Sequence, residues 1–244
     1  MQNKLSIAII MRSTLFWMIV GLLSVVYAFL AITLYFFLSL RTRHKILTSW
    51  SIIFAILARH LCRVNYQVRG REHITREPGI IASNHQSMWE TIVYTQIFPA
   101  HAWIVKRELL MVPFFGWVMA TLAPIAINRA AGGSVIKQML SQSADRIRDG
   151  FWILLFPEGT RAKPGNILPF KVGVGRLALG LNIPVLPVAH NAGYLLPKNS
   201  FFLYPGTVQV IIGEPIYPQE NETHEALTAR IREVIAQSLA TIVH

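Results

Sequence analysis

The sequence predicts an α/β domain carried behind an N-terminal apolar helical segment. One observation is a long charge-free apolar stretch near the N-terminus, which is membrane material. Another is the texture after residue 63, where short apolar runs broken by Pro, Gly and Asn alternate with helical patterns. The length of 244 residues fits one principal domain with a short appendage. Lys and Arg total 23 against 12 for Asp and Glu, a net charge of +11, yet only 14% of residues are charged and 53% are hydrophobic. This excludes a disordered polyelectrolyte. With a mean hydropathy of +0.43, it points to apolar segments beside a cationic surface, suited to anionic lipid or to nucleic acid. The single Cys62 excludes an intrachain disulfide framework and any multi-cysteine zinc or iron–sulfur site, and fits a reducing compartment.

Residues 13–40 contain no Asp, Glu, Lys, Arg or His and are apolar all round. A helix over 14–40 is longer than a hydrocarbon core of about 30 Å, so it can span with tilt or bend back on itself. A secretory signal would have a shorter apolar region of about 7–15 residues and a small-residue cleavage site. Arg41, Arg43, Lys45, Arg59 and Arg63 follow the run and only Lys4 and Arg12 precede it, so a single span leaves the rest of the chain on the cytoplasmic side of the membrane. Residues 46–62 form a second, shorter apolar helix, read either as interfacial beside the anchor or as a buried helix of the domain. The expected organisation is an anchor over 1–63 and a folded domain over 64–244.

Strands are expected at 79–84, 101–106, 124–129, 151–157, 183–190 and 208–213, each a short apolar run bounded by turn residues. Amphipathic helices are expected at 134–149 and 225–242. There Val135, Met139, Leu140 and Ile147, and Leu227, Ile231, Val234, Ile235, Leu239 and Ile242, fall near helical spacing. The glycines of Gly173-Val174-Gly175 imitate a dinucleotide motif, but a Pro-containing loop precedes them and no acidic residue follows at about 20 positions. Helix–strand packing accounts for them instead.

The segment NHQSMWE (84–90) places His85 after a strand and Glu90 five residues later. On one continuous helix five residues turn about 140° from the starting face, so a working pair needs His85 in a turn and the helix starting near Ser87. Two readings stand on these residues alone. Ser87 and Glu90 fit a capping box, with Glu90 bonding back to the Ser87 amide. Alternatively, they are part of a carboxylate–histidine pair in which His85 takes a proton and Glu90 fixes its tautomer. A metal pair fits less well, because two ligands are too few and no second histidine follows at helical spacing. The segment FPEGTRAKPG (156–165) ends the most apolar strand in an irregular loop presenting Glu158, Thr160, Arg161, Lys163 and, farther on, Lys171. Such loops bind ligands in α/β proteins, and the planar fork of Arg161 suits a phosphate. A plain basic turn facing lipid or solvent is the other reading.

Taken in order, NHQSMWE and FPEGTR resemble the 1-acylglycerol-3-phosphate (lysophosphatidate) acyltransferase family, whose hallmark is His-x-x-x-x-Asp followed by Phe-Pro-Glu-Gly-Thr-Arg. KRELLMVPFFGW (106–117), PIAINRA (124–130) and IPVLPV (183–188) resemble further blocks of the family between and after these. The resemblance implies a mixed sheet flanked by helices, of the glycerolphosphate acyltransferase kind. It implies acyl transfer from a thioester, acyl-CoA or acyl carrier protein, to the sn-2 hydroxyl of lysophosphatidate, giving phosphatidate. His85 would be the general base and Glu90 its orienter, with no acyl-enzyme. Lys106, Arg129 and Arg161 would hold the phosphate, and Glu158, Gly159 and Thr160 would shape the pocket. The helices of the anchor would present the site to the bilayer. No metal or organic cofactor is called for, the thioester being a substrate.

This chain departs from the family pattern where Glu90 replaces Asp, Asn128 replaces the Asp before Arg129, and Pro124 stands where Gly is usual. A different lysophospholipid acceptor, or a catalytically silent basic lipid-binding membrane protein, are the competing readings. Nucleic-acid binding is weakest, since the charge is dispersed and no recognition motif accompanies it.

Overall fold

The computed structural model describes residues 5–128 and 134–242. Helix α1, Ile7–Phe37, is capped by Ser6, whose hydroxyl accepts from the Ile9 amide at 3.3 Å. It starts before the expected position 14 because a single charged residue, Arg12, does not interrupt backbone bonding. It stops short of 40 because Ser39 caps a new helix, α2, Leu40–Thr48. Helix α3, Trp50–Cys62, follows a break at Ser49 and ends on Arg63 in the left-handed conformation. The second helix therefore begins at 50 rather than 46, and the basic residues before it form a helix of their own. Ile7–Phe37 and Leu40–Cys62 are each long and apolar enough to cross a membrane.

Only a narrow stripe of α1, Ser13, Phe16, Val20, Ala28 and Ala31, is covered by protein. The helix keeps contact with the domain along most of its length. Trp17 Nε1 donates to the Phe201 carbonyl at 2.6 Å, and the Leu203 amide donates to Ser13 Oγ at 3.0 Å. At the far end, the buried Arg43 guanidinium donates to the carbonyls of Tyr35, Leu38 and Thr121. The distance from Ser13 to Tyr35 is about 33 Å of helix.

The first strand, β1 at Val64–Arg69, was not among those expected, although its alternating burial is the ordinary half-exposed strand pattern. Strands β2 (Ile80–Ser83), β3 (His101–Lys106), β4 (Ile125–Ile127), β5 (Trp152–Leu155) and β6 (Val185–His190) lie at or inside expected positions, whereas β7 (Gly206–Ile212) starts two residues before its expected 208. They form one seven-stranded sheet in the order β1-β7-β6-β2-β5-β3-β4. The five strands from β6 to β4 are parallel, while β7 pairs antiparallel with β6 and parallel with β1. The sheet is therefore mixed, as the resemblance implies. The central strands β2 and β5 are buried throughout, which is why they read as unbroken apolar runs.

One face of the sheet packs on α1, α3, α4 (Trp89–Ile97) and α5 (Phe115–Thr121) through Phe16, Phe54, Trp89, Tyr94 and Trp103. The other packs on α6 (Ser134–Arg148), α7 (Gly173–Leu181) and α8 (His224–Ala240) through Met139, Val174, Leu177, Leu227 and Ile231. Gly175 of α7 lies against the start of α8, where an added Cβ would come within 2.2 Å of the His224 carbonyl oxygen and 2.6 Å of Thr228 Oγ1. The packing is thus helix on helix rather than helix on strand. We expect Gly175→Ala to destabilise the fold by about 1–3 kcal/mol. Gly173→Ala, whose Cβ meets only Met139 Cε at 3.6 Å, should cost far less; thermal unfolding in detergent measures the difference.

Candidate active site

Parallel strands with short connections leave their C-terminal ends free to carry loops, and here β2, β5 and β6 end side by side. His85 lies in the turn between β2 and α4. Glu90 sits in the first turn of α4, where the helix dipole favours a negative charge. Its side chain is fully buried, and one oxygen, Oε1, accepts from His85 Nδ1 at 2.8 Å, from the Gln86 amide at 2.9 Å and from the Ser87 amide at 2.7 Å. The pair reading and the back-bond of the capping reading are therefore both present in one carboxylate, although the helix is capped at Met88 and not, as expected, at Ser87. Ser87 Oγ accepts from the Trp89 amide and donates to the Leu196 carbonyl, which fixes the start of the helix. Burial alone would raise the Glu90 pKa, but the bond to His85 and the Ser87 amide outweigh it and hold the carboxyl below its ordinary range.

An ionised Glu90 can only accept, so Nδ1 of His85 carries a proton, and in the neutral ring the acceptor is then Nε2. The imidazole is stacked on Phe156, centroids 4.1 Å apart, and remains partly exposed. The backbone of His85 is held from both sides by the loop after β5. Its amide donates to Glu158 Oε1 at 2.8 Å, and its carbonyl accepts from the Ala162 amide at 2.7 Å. Glu158 Oε2 accepts from the Leu168 amide. Burial raises the Glu158 pKa, opposed by the two amides it accepts from and by His85, while Glu90 pushes in the same direction as burial. Glu158 therefore acts on the histidine turn. Gly159 takes φ +68°, and a Cβ there would lie 3.0 Å from Lys171 Nζ, so the residue lets the loop turn while Lys171 crosses its face.

His85, Lys106, Gly159, Thr160, Arg161, Lys171 and Lys198 line one groove of about 590 Å³, whose walls contain no Asp or Glu among the described residues. Lys198 Nζ also donates to the Arg161 carbonyl. Of the residues singled out in the sequence, the groove gathers His85, Lys106, Gly159, Thr160 and Arg161. Glu90 and Glu158 lie behind it, Lys163 is exposed and does not line it, and Arg129 lies outside the described residues. Cys62 is buried at the end of α3, where its thiol donates to the Arg12 carbonyl, and it does not line the groove. Among the described residues, no three of His, Cys, Asp or Glu converge to hold a metal ion.

Sequence reasoning missed Lys198, Asn84 and His190. Asn84 Nδ2 donates to the His190 carbonyl and Asn84 Oδ1 accepts from the His190 amide, both at 3.0 Å, clasping the ends of β2 and β6. His190 Nδ1 accepts from the Ala192 amide, so Nε2 bears the proton and donates to the Asn84 carbonyl at 2.9 Å, 3.7 Å from Glu90 Oε1. That arrangement requires a neutral imidazole, in line with burial, which lowers the His190 pKa. The position of His190 at the end of a recognised strand was the available signal.

This geometry can be set beside known proteins. The Acyltransferase family model matches residues 65–191. A 1-acyl-sn-glycerol-3-phosphate acyltransferase from Pseudomonas aeruginosa is 38% identical over 235 residues, 95% of this chain and 91% of the relative. The alpha form from Mus musculus is 30% identical over 163 residues, 65% of this chain and 57% of its own length. The crystal structure of the 1-acyl-sn-glycerophosphate acyltransferase PlsC from Thermotoga maritima superposes with a TM-score of 0.79 at 25% identity, covering 95% of both chains. A buried carboxylate–histidine turn, a basic groove at the strand ends and a shared fold over nearly the whole length thus meet in one conclusion: the chain belongs to the 1-acyl-sn-glycerol-3-phosphate acyltransferase family.

Proposed function

We propose that this enzyme transfers an acyl group from acyl-CoA or acyl carrier protein to the sn-2 hydroxyl of lysophosphatidate, with His85 and Glu90 as its proton-transfer pair. The observation that carries the reading is Glu90 Oε1 holding His85 Nδ1 while the partly exposed imidazole lines a mostly apolar groove that also carries Lys106, Arg161, Lys171 and Lys198. His85 Nε2 takes the proton of the acceptor hydroxyl as its oxygen attacks the thioester carbon. The C–O bond forms, the C–S bond breaks, and the leaving thiolate takes the proton from the imidazolium, which Glu90 stabilises meanwhile. No acyl-enzyme is needed, and among the described residues lining the groove there is no Ser or Cys to carry one. No step draws on a metal or organic cofactor.

Lys106, Arg161 and, outside the described residues, Arg129 bind the phosphate, and Glu158, Gly159 and Thr160 shape the loop beneath it. The acceptor is a membrane lipid, and the N-terminal segment over 1–63 is the anchor. Because α1 touches the domain from Ser13 to Tyr35, a perpendicular crossing would pull Thr121 and Leu203 into the hydrocarbon. We therefore read α1 as lying along one leaflet, on the cytoplasmic side, where soluble thioesters are available.

Thiol release from an acyl thioester, with and without lysophosphatidate, tests the reaction. His85→Ala should reduce acceptor-dependent release by about 10²–10⁴-fold, and Glu90→Gln should fall in the same range with unchanged lipid binding. Wild-type rates in His85→Ala would overturn the mechanism. Lys106→Gln and Arg161→Gln should each raise KM for lysophosphatidate by about tenfold or more, because each removes a charge-assisted phosphate contact. An equal effect with an acceptor lacking the phosphate would remove them from that role.

A further inference from the structure

Beyond the N-terminal helices, one more exposed apolar surface stands out. After Lys106, Arg107 and Glu108 the chain carries no charged side chain until Arg129. Over the first part of that stretch Leu109, Met111, Val112, Phe114, Phe115 and Trp117 are all exposed, Met111 by 81%. Six large apolar side chains on one short connection are too many to be the scattered surface hydrophobes of a soluble protein.

The backbone holds them there under strain. Phe114 has φ +62° and ψ −60°, and the Phe115 amide donates to the Pro113 carbonyl at 2.7 Å. These are the marks of a γ-turn of the rare positive-φ kind, an unfavourable conformation for an aromatic residue. The turn sets Phe114 beside Trp117, ring centroids 5.0 Å apart, at the start of α5.

The location supplies the occupant. Phe114 and Phe115 line an apolar cavity of about 410 Å³ together with Gly21, Ser24 and Val25 of α1. Phe115 and Leu109 also line the groove that holds His85. The connection thus continues the exposed apolar face of α1, where Met18, Leu22, Val26 and Phe29 face outward, up to the mouth of the groove. The cations Lys106 and Arg107 stand at its start, as at an interfacial segment facing anionic head groups.

We propose that residues 109–117 form a second bilayer-inserted element, distant in sequence from the N-terminal helices, that seats the mouth of the groove at the boundary between head groups and acyl chains. The proposal rests on the membrane reading of α1 given above. It assigns the strained turn a purpose, since the conformation presents apolar side chains where an unstrained turn would let them fold back.

Single-cysteine labelling of the full chain tests it, the buried Cys62 of the unsubstituted protein serving as the blank. An environment-sensitive fluorophore is placed at Met111→Cys, at Phe29→Cys on α1 and at Glu220→Cys, an exposed polar position. The labelled proteins are mixed with phosphatidylcholine–phosphatidylglycerol vesicles carrying doxyl quenchers in the acyl chains. The expected result is a blue shift and quenching at 29 and 111 and neither at 220. Quenching at 29 with 111 resembling 220 overturns the proposal and leaves the α1 reading standing, whereas quenching at neither position brings down the α1 reading and the proposal with it. A label at 111 that is shielded but unquenched, in a protein that self-associates, would assign the surface to a second copy and also overturn it. Met111→Asp supplies a functional readout. Turnover of acceptor embedded in vesicles should fall by about tenfold, with turnover of a short-chain acceptor in detergent unchanged. Equal behaviour of the variant in both assays counts against insertion.

Discussion

The organisation of the site depends on one buried charge. Glu90 is removed from water, and a carboxylate in that position persists only if donors replace its hydration. The chain supplies them locally to one of the two oxygens: the turn that brings His85 back over the helix also aims the amides of Gln86 and Ser87 at Oε1, while Oε2 is buried without a hydrogen bond. The geometry of the turn and the ionisation of the acid are therefore one condition. Were the turn to open, the charge would lose its partners; were the carboxyl neutral, three donors would share a weakened acceptor. Glu158 repeats the device a layer away by gripping the His85 amide from the following loop. The histidine ring and its backbone are thus held by two different acids from two different strand ends.

Much of this was legible because it is local. Ser87 and Glu90 are three residues apart, so a capping pattern and a proton-transfer pattern could be read from the same seven letters. The fully apolar β2 and β5 and the striped α6 and α8 announced a sheet covered by helices. What was illegible depends on distance or on backbone detail. The Asn84–His190 clasp joins residues 106 apart, and its strength lies in two hydrogen bonds that no spacing rule encodes. Lys198 reaches the groove only because its loop folds beside Arg161.

The limits of the N-terminal helices were misjudged for a different reason. Uniform apolarity carries no phase, so it tells neither where a helix turns nor which side is covered. The break after Phe37 comes from the Ser39 cap, and the covered stripe on α1 follows from what α3 and α5 offer it. Strand β1 was overlooked although Val64, Tyr66 and Val68 alternate with polar residues. Its proximity to an apolar helix hid a period of two behind a longer run.

The bonds from Ser13 to Leu203 and from Trp17 to Phe201 have a bearing on how the molecule comes into being. Helix α1 can pack on α3 as soon as both are made, Phe16 against Phe54, but its bond to Leu203 waits for a residue made 190 positions later. At synthesis rates of about 5–20 residues per second, that is a wait of about 10–40 seconds. An apolar helix of this length is prone to aggregate in water over such a time, and a lipid surface keeps it dispersed until the sheet arrives. The bilayer would then act on this chain first as a chaperone, and only afterwards as the source of its substrate.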